Sequence, residues 1–298
     1  MSEISTVNNK DEADSTEIFG RKVFFINPAY SIRNDVIPAL QKEEYEVYII
    51  DSYKDAKNIL RKYKNSMCFI NVDAQLSIDA WFNFIKSFEK EITLKSTFIG
   101  VISERIKRDD RSIFLAHANI PGGIIHVDES MSAITKELET ILLNNGAKGK
   151  RQYVRANLSL ERDAALFWTI EDRLFQMKLL DISSVGMSVK VPAQMAPYAH
   201  EKAIVRDITL RLATKQFVVD AVVFAIKNTP EGLLWIMLLM PNTATSVKDA
   251  IRDYVAVTNQ KLLMASINNK VADSTDYNDI PYYKLVTKRS RASDKDVQ

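Results

Sequence analysis

A chain of 298 residues with 46% apolar content has material for two ordinary cores and is long for one domain of average size. Its 40 basic and 38 acidic residues leave a formal charge of +2, which argues against a broad basic surface for nucleic acid. The single cysteine, Cys68, excludes an internal disulfide and fits a reducing compartment. The first 18 residues are polar and acidic and read as a disordered arm, without the apolar core of a secretory signal. The best apolar run, 233–240, falls far short of the ~20 residues of a spanning helix. The expected location is the cytoplasm.

From 19 to 145 the chain alternates strand-like runs with amphipathic helical ones. The strands fall at 22–26, 45–50, 67–72, 97–102 and 123–127, with Cys68 as a small buried hydrophobe in the third. The helices fall at 32–41, 53–63, 78–88, 108–118 and 130–143. Five βα units of this size imply a doubly wound parallel sheet covered on both faces. The turn after the first strand, Asn27-Pro28-Ala29-Tyr30-Ser31, has no glycine, so backbone cannot approach a pyrophosphate as in a dinucleotide fold.

The order of elements resembles a response-regulator receiver domain. That resemblance implies an acidic pair after the first strand, an aspartate ending the third, and a lysine after the fifth. Here the first strand ends in Asn27-Pro28, the third-strand position is Asn71, and His126-Val127-Asp128 closes the fifth. Ser103 can stand for the hydroxyl after the fourth strand, and Asp73 is the one substitute phosphoacceptor. Without paired carboxylates a Mg²⁺ site is not expected. The domain reads as a degenerate receiver.

A hinge is expected at 146–155, after two Asn and among two Gly. Strand follows strand thereafter, at 156–162, 166–170, 173–182, 187–191, 203–212, 217–226 and 233–240. Such an antiparallel set disposes of its edges by closing into a barrel. A helix at 247–263 carries Ile251, Tyr254, Val255, Thr258 and Leu262 on one stripe, suited to closing the barrel. The second domain is therefore expected at 156–266, and 267–298 as a polar tail. Lys288, Arg289 and Arg291 read as its solvated end. His117, His126 and His200 lie in different elements, so neither a metal site nor a catalytic set is expected.

Two motifs flank the start of the second domain. Arg151 and Arg155 are spaced Arg-x-x-x-Arg, and Asp181, Ser183 and Gly186 form Asp-x-Ser-x-x-Gly. Guanidinium forks clamp phosphate or the acceptor edge of a purine. A carboxylate and a hydroxyl at a tight turn supply the remaining acceptors and donors, and glycine admits close backbone.

On these residues the segment 150–264 resembles the PilZ family of bacterial cyclic di-GMP receptors. The resemblance implies a small β-barrel with a closing helix, no catalysis and no cofactor. It also implies that Arg151 and Arg155 wrap the ligand's phosphates and guanine edges, while Asp181 and Ser183 contact it from the barrel. Many relatives carry a further arginine where this chain has Lys150, a point charge rather than a planar fork. The implied function is an effector that converts second-messenger level into an interdomain or partner-binding change. Its partner would be a downstream bacterial protein, with no nucleic acid and no membrane insertion. The alternatives are a ligand-free scaffold of the same shape and a phosphorylated regulator.

Overall fold

The computed structural model describes residues 17–128, 130–198, 200–230, 232–267 and 271–293. Nearly all of the expected disordered arm lies outside this set, as do the side chains of Arg289 and Arg291. Two compact units emerge: residues 1–152 together with 263–298, and residues 153–262.

The first unit is built on a parallel five-stranded sheet in the order β2-β1-β3-β4-β5. Its strands are β1 (Val23–Ile26), β2 (Val47–Ile50), β3 (Met67–Asn71), β4 (Phe98–Ser103) and β5 (Ile124–His126). A π-helical turn, Ile32–Val36, leads into α1 (Ile37–Lys42). The helices α2 (Tyr53–Lys62), α3 (Ile78–Phe88), α4 (Arg108–His117) and α5 (Met131–Asn144) follow. Alternate strand residues face opposite sides, because side chains along a strand repeat every two. Phe24, Ile26, Cys68, Ile70 and Val101 pack with α2, α3 and α4, while Val23, Phe25, Met67 and Phe69 pack with α1 and α5. This is the doubly wound, receiver-like architecture expected. Cys68 is fully buried, and burial pushes its thiol up, away from reactivity.

The last residues correct the expected polar tail at 267–298. Leu263, Ile267 and Tyr277 belong to the core of the first unit, and α7 (Tyr282–Ser293) lies beyond them. Asn83 of α3 donates to the carbonyls of Tyr277 (2.8 Å) and Ile280 (2.6 Å) and accepts from the Tyr283 amide (2.9 Å). The Asp273 amide donates to Lys54 O at 2.8 Å, and Tyr283 reaches Asp110 of α4. Lys57 is buried, with its ammonium over the rings of Phe84, Phe88 and Tyr277 and 4.0 Å from Asp273.

Burial acts to raise the Asp273 carboxyl. Hydrogen bonds from Thr275 and Tyr277, with the Lys57 charge, outweigh it and leave the group below its usual 3.8. A depressed carboxyl stabilises the fold above its unfolded value and loses that contribution as pH falls through the folded one. The gap in melting temperature between the wild type and Asp273→Asn is thus expected to shrink from pH 5 to pH 2. A gap that stays constant would show that Asp273 is not ionised against these partners.

The second unit is an antiparallel barrel of β7 (Ala164–Ile170), β8 (Arg173–Ser183), β9 (Gly186–Val191), β10 (Ile204–Leu212), β11 (Lys215–Thr229) and β12 (Gly232–Leu239). The order β8-β7-β10-β11-β12-β9 closes through pairing of β9 with β8. Closure leaves none of these six strands with a free edge. Leu166, Met177, Val189, Leu210, Val223 and Trp235 fill the interior. The helix α6 (Thr245–Ala265) packs Ile251 and Val255 into the same core, as its apolar stripe implied. A short 3₁₀ turn at Ala193–Tyr198 was not foreseen.

The strand expected at 156–162 shrinks to β6 (Ala156–Asn157), paired with β8. The Asn157 side-chain oxygen accepts from the Ser159 amide at 2.9 Å and from its hydroxyl at 2.6 Å, a local turn that competes with the ladder.

Candidate ligand-binding site

The two motif halves contribute one pair that meets on the barrel. Asn157 of β6 registers with Asp181 of β8, so the chain entering the barrel passes beside Asp181. Arg155, two residues earlier, places Nη1 3.4 Å from the Asp181 carboxylate. Asn259 of α6 donates to the Arg155 carbonyl at 3.1 Å and fixes that backbone. Both side chains keep about a third of their surface in solvent, 37% and 30%. Arginine and aspartate therefore stand side by side at an accessible rim, offering a planar donor fork and an acceptor.

Ser183 and Gly186 are directly opposite each other where β8 turns into β9. Two residues, Ser184 and Val185, make the turn, and a bulge between Leu179 and Asp181 precedes it. The Ser183 hydroxyl is fully buried and donates to the Gly186 carbonyl at 3.1 Å. Its proton is thereby engaged within the hairpin, which in turn holds Asp181.

Gly186 serves by close approach rather than by a left-handed backbone. A Cβ there would stand 2.6 Å from the Met237 carbonyl on β12, which pairs with β9. Gly186→Ala is expected to destabilise the barrel by about 1–3 kcal/mol through overpacking. Chemical denaturation showing a midpoint equal to wild type would contradict that.

Lys150 and Arg151 lie in the first unit, Arg155 in the second, so the unit boundary falls between the two arginines. Residues 146–151 of the hinge expected over 146–155 belong to the first unit. Ala147 is buried in the first core, the Arg21 amide donates to Gly146 O at 2.9 Å, and the Lys148 ammonium sits 4.4 Å over the Tyr45 ring. Lys150 pairs with Glu17 at 2.5 Å, and the Arg151 guanidinium stacks 4.5 Å over Phe19.

At the ends of β1 and β3 the receiver-like unit carries the amides Asn27 and Asn71. Asn71 ends β3, donates to the Asn27 carbonyl at 2.8 Å, and accepts from the Asp73 amide at 3.1 Å. Asp73 is occupied: Ser103 donates to one carboxylate oxygen and the Glu104 amide to the other, at 2.7 Å. Two amides and one engaged carboxylate make a poor donor set for a hard divalent cation. Among the described residues no group of three His, Cys, Asp or Glu side chains could hold a metal, and no helix is long and apolar enough to cross a membrane.

No family model and no curated protein sequence matches the chain. Several solved structures are similar to parts of it. One is the PilZ domain of YcgR from Escherichia coli with c-di-GMP, at 15% identity and TM-score 0.34, over 41% of this chain and 99% of that one. The MrkH–c-di-GMP complex of K. pneumonia gives 18% and 0.31, over 39% of this chain and 54% of that one, so the match spans about half of MrkH. The chemotaxis protein CheY4 of Vibrio cholerae gives 21% and 0.34, over 41% of this chain and 98% of that one. The chain thus joins a closed six-stranded antiparallel barrel, on which Arg155 meets Asp181, to a parallel sheet of order β2-β1-β3-β4-β5 wound by helices.

Proposed function

We propose that this chain is a non-enzymatic cyclic di-GMP receptor whose ligand is gripped by Arg155 and Asp181 on the barrel together with Arg151 on the entering segment. The observation that carries the reading is the Arg155–Asp181 pair at the rim. Guanine presents O6 and N7 acceptors along one edge and N–H donors along another. An arginine fork satisfies the first and a carboxylate the second. Bidentate guanidinium contacts also suit the phosphates. Ser183 and Gly186 support the grip by shaping the hairpin, and Lys150 adds a point charge for phosphate.

The unit boundary between Arg151 and Arg155 supplies the readout. A ligand that engages both arginines restrains the junction, shifting the population toward the liganded arrangement, which a downstream protein recognises. Titration calorimetry of the full chain with cyclic di-GMP tests this. Saturable binding supports it, and absence of heat at high-micromolar ligand refutes it. A ligand-free scaffold is distinguished by melting, because a ligand specific to the native state at 100 times its Kd adds about 2.7 kcal/mol of stability.

A further inference from the structure

The residues touching Lys150 and Arg151 imitate what the proposed ligand would offer them. The Glu17 carboxylate meets the Lys150 ammonium at 2.5 Å, where a phosphate oxygen could stand. The Phe19 ring lies 4.5 Å under the Arg151 guanidinium, in the stacking position of a purine. The Lys150 and Arg151 amides donate to the carbonyls of Glu17 and Ile18 at 2.9 and 2.8 Å. These carbonyls close a helical turn at 17–19 and would otherwise lack donor partners.

Two glycines make the contact possible. A Cβ on Gly149 would stand 2.4 Å from the Gly20 amide nitrogen and 2.6 Å from Ile18 O, and one on Gly20 would stand 2.4 Å from Ala147 O. An open cleft of about 820 Å³ beside them is lined by three cations, Arg21, Lys148 and Lys150, against one carboxylate, Glu17. Arg21 directs its hydrogen bonds to carbonyls of Asn65, Ser66, Ser96 and Asn145, so Glu17 is the anionic counterpart among the lining residues.

We propose that the segment 17–20 is a built-in ligand mimic that docks on Lys150 and Arg151 and competes with cyclic di-GMP for them. The inference rests on the receptor reading above. Docking is shallow, since Lys150 and Glu17 keep 71% and 60% of their side-chain surface in solvent. Such contacts are weak and salt-sensitive, so ligand can displace them while losing part of its apparent affinity to the docked population.

Titration calorimetry with cyclic di-GMP on the full chain provides the test, comparing wild type with Phe19→Ala and with Gly149→Ala. Phe19 is half exposed, so its loss leaves the core intact, whereas Gly149→Ala lifts the segment by steric contact. Each variant is expected to bind about three- to tenfold more tightly than wild type. Wild-type binding with equal or weaker affinity in Phe19→Ala overturns the mimic and leaves the receptor standing. No binding by any of the three proteins overturns the receptor, and the mimic falls with it.

Discussion

Arg155→Ala and Asp181→Ala are each expected to weaken cyclic di-GMP binding at least tenfold while leaving the barrel folded. Truncating one partner of a desolvated charged contact costs about 2–5 kcal/mol, and both side chains would be covered once ligand sits on the rim. The two side chains are 37% and 30% exposed and 3.4 Å apart, so their mutual ion pair contributes at most ~1 kcal/mol to folding. Affinity and stability should therefore separate: calorimetry moves and the melt barely does. Arg155→Lys should recover little, because an ammonium keeps the charge and loses the planar fork. Ser183→Ala should show the reverse pattern, since its buried hydroxyl serves the Gly186 carbonyl and its loss reaches the melt first. Unchanged affinity in both Arg155→Ala and Asp181→Ala would remove the barrel rim from the binding site.

The largest stability effect is expected from Tyr277→Ala, at about 3–5 kcal/mol in the first unit, the range for deleting a large buried ring. Tyr277 is 1% exposed and meets Tyr53 and Phe84 edge to face at 6.1 and 5.1 Å. Its ring also carries the Lys57 ammonium at 5.1 Å, and its hydroxyl donates to Asp273 at 2.5 Å. Removing the ring leaves a cavity and strips a buried cation of one face of its cage. Tyr277→Phe keeps the ring and forfeits one hydrogen bond, so it should cost only about 1 kcal/mol. Denaturant unfolding of both variants decides the matter. A Tyr277→Ala protein as stable as wild type would mean that the C-terminal segment is no part of this core.

The tail shows where one-dimensional reading runs out. Lys288, Arg289 and Arg291 set a polar impression, and residues 271–281 have no helical or strand repeat to offset it. Yet Tyr277, Ile280, Tyr283 and Val286 recur at three-residue intervals, each packed on the first core. That spacing was a legible signal, masked because Pro281 interrupts it and half of the anchors sit in irregular backbone. The strand at 156–162 failed for a different reason. Its apolar content was real, but the Asn157 side chain offered the backbone a turn that outcompeted the ladder.

Periodicity alone determined the two architectures. An alternation of two-residue and 3.6-residue repeats admits a parallel sheet with helices on both faces, and successive two-residue repeats admit a closed barrel. Residue identity likewise determined that the receiver-like unit lacks its carboxylates and that the chain carries an arginine pair with Asp-x-Ser-x-x-Gly. Tertiary structure decided which of those residues are available. Register between β6 and β8 brought Arg155 to Asp181, the β8–β9 turn drew Ser183 inward, and the β12 backbone required Gly186. It also set Glu17 and Phe19 on Lys150 and Arg151, more than 100 positions away in the sequence. Local pattern encodes which face of an element is buried. The partner that meets each side chain depends on strand register and on distant chain returning to the same core, and neither is written in neighbouring residues.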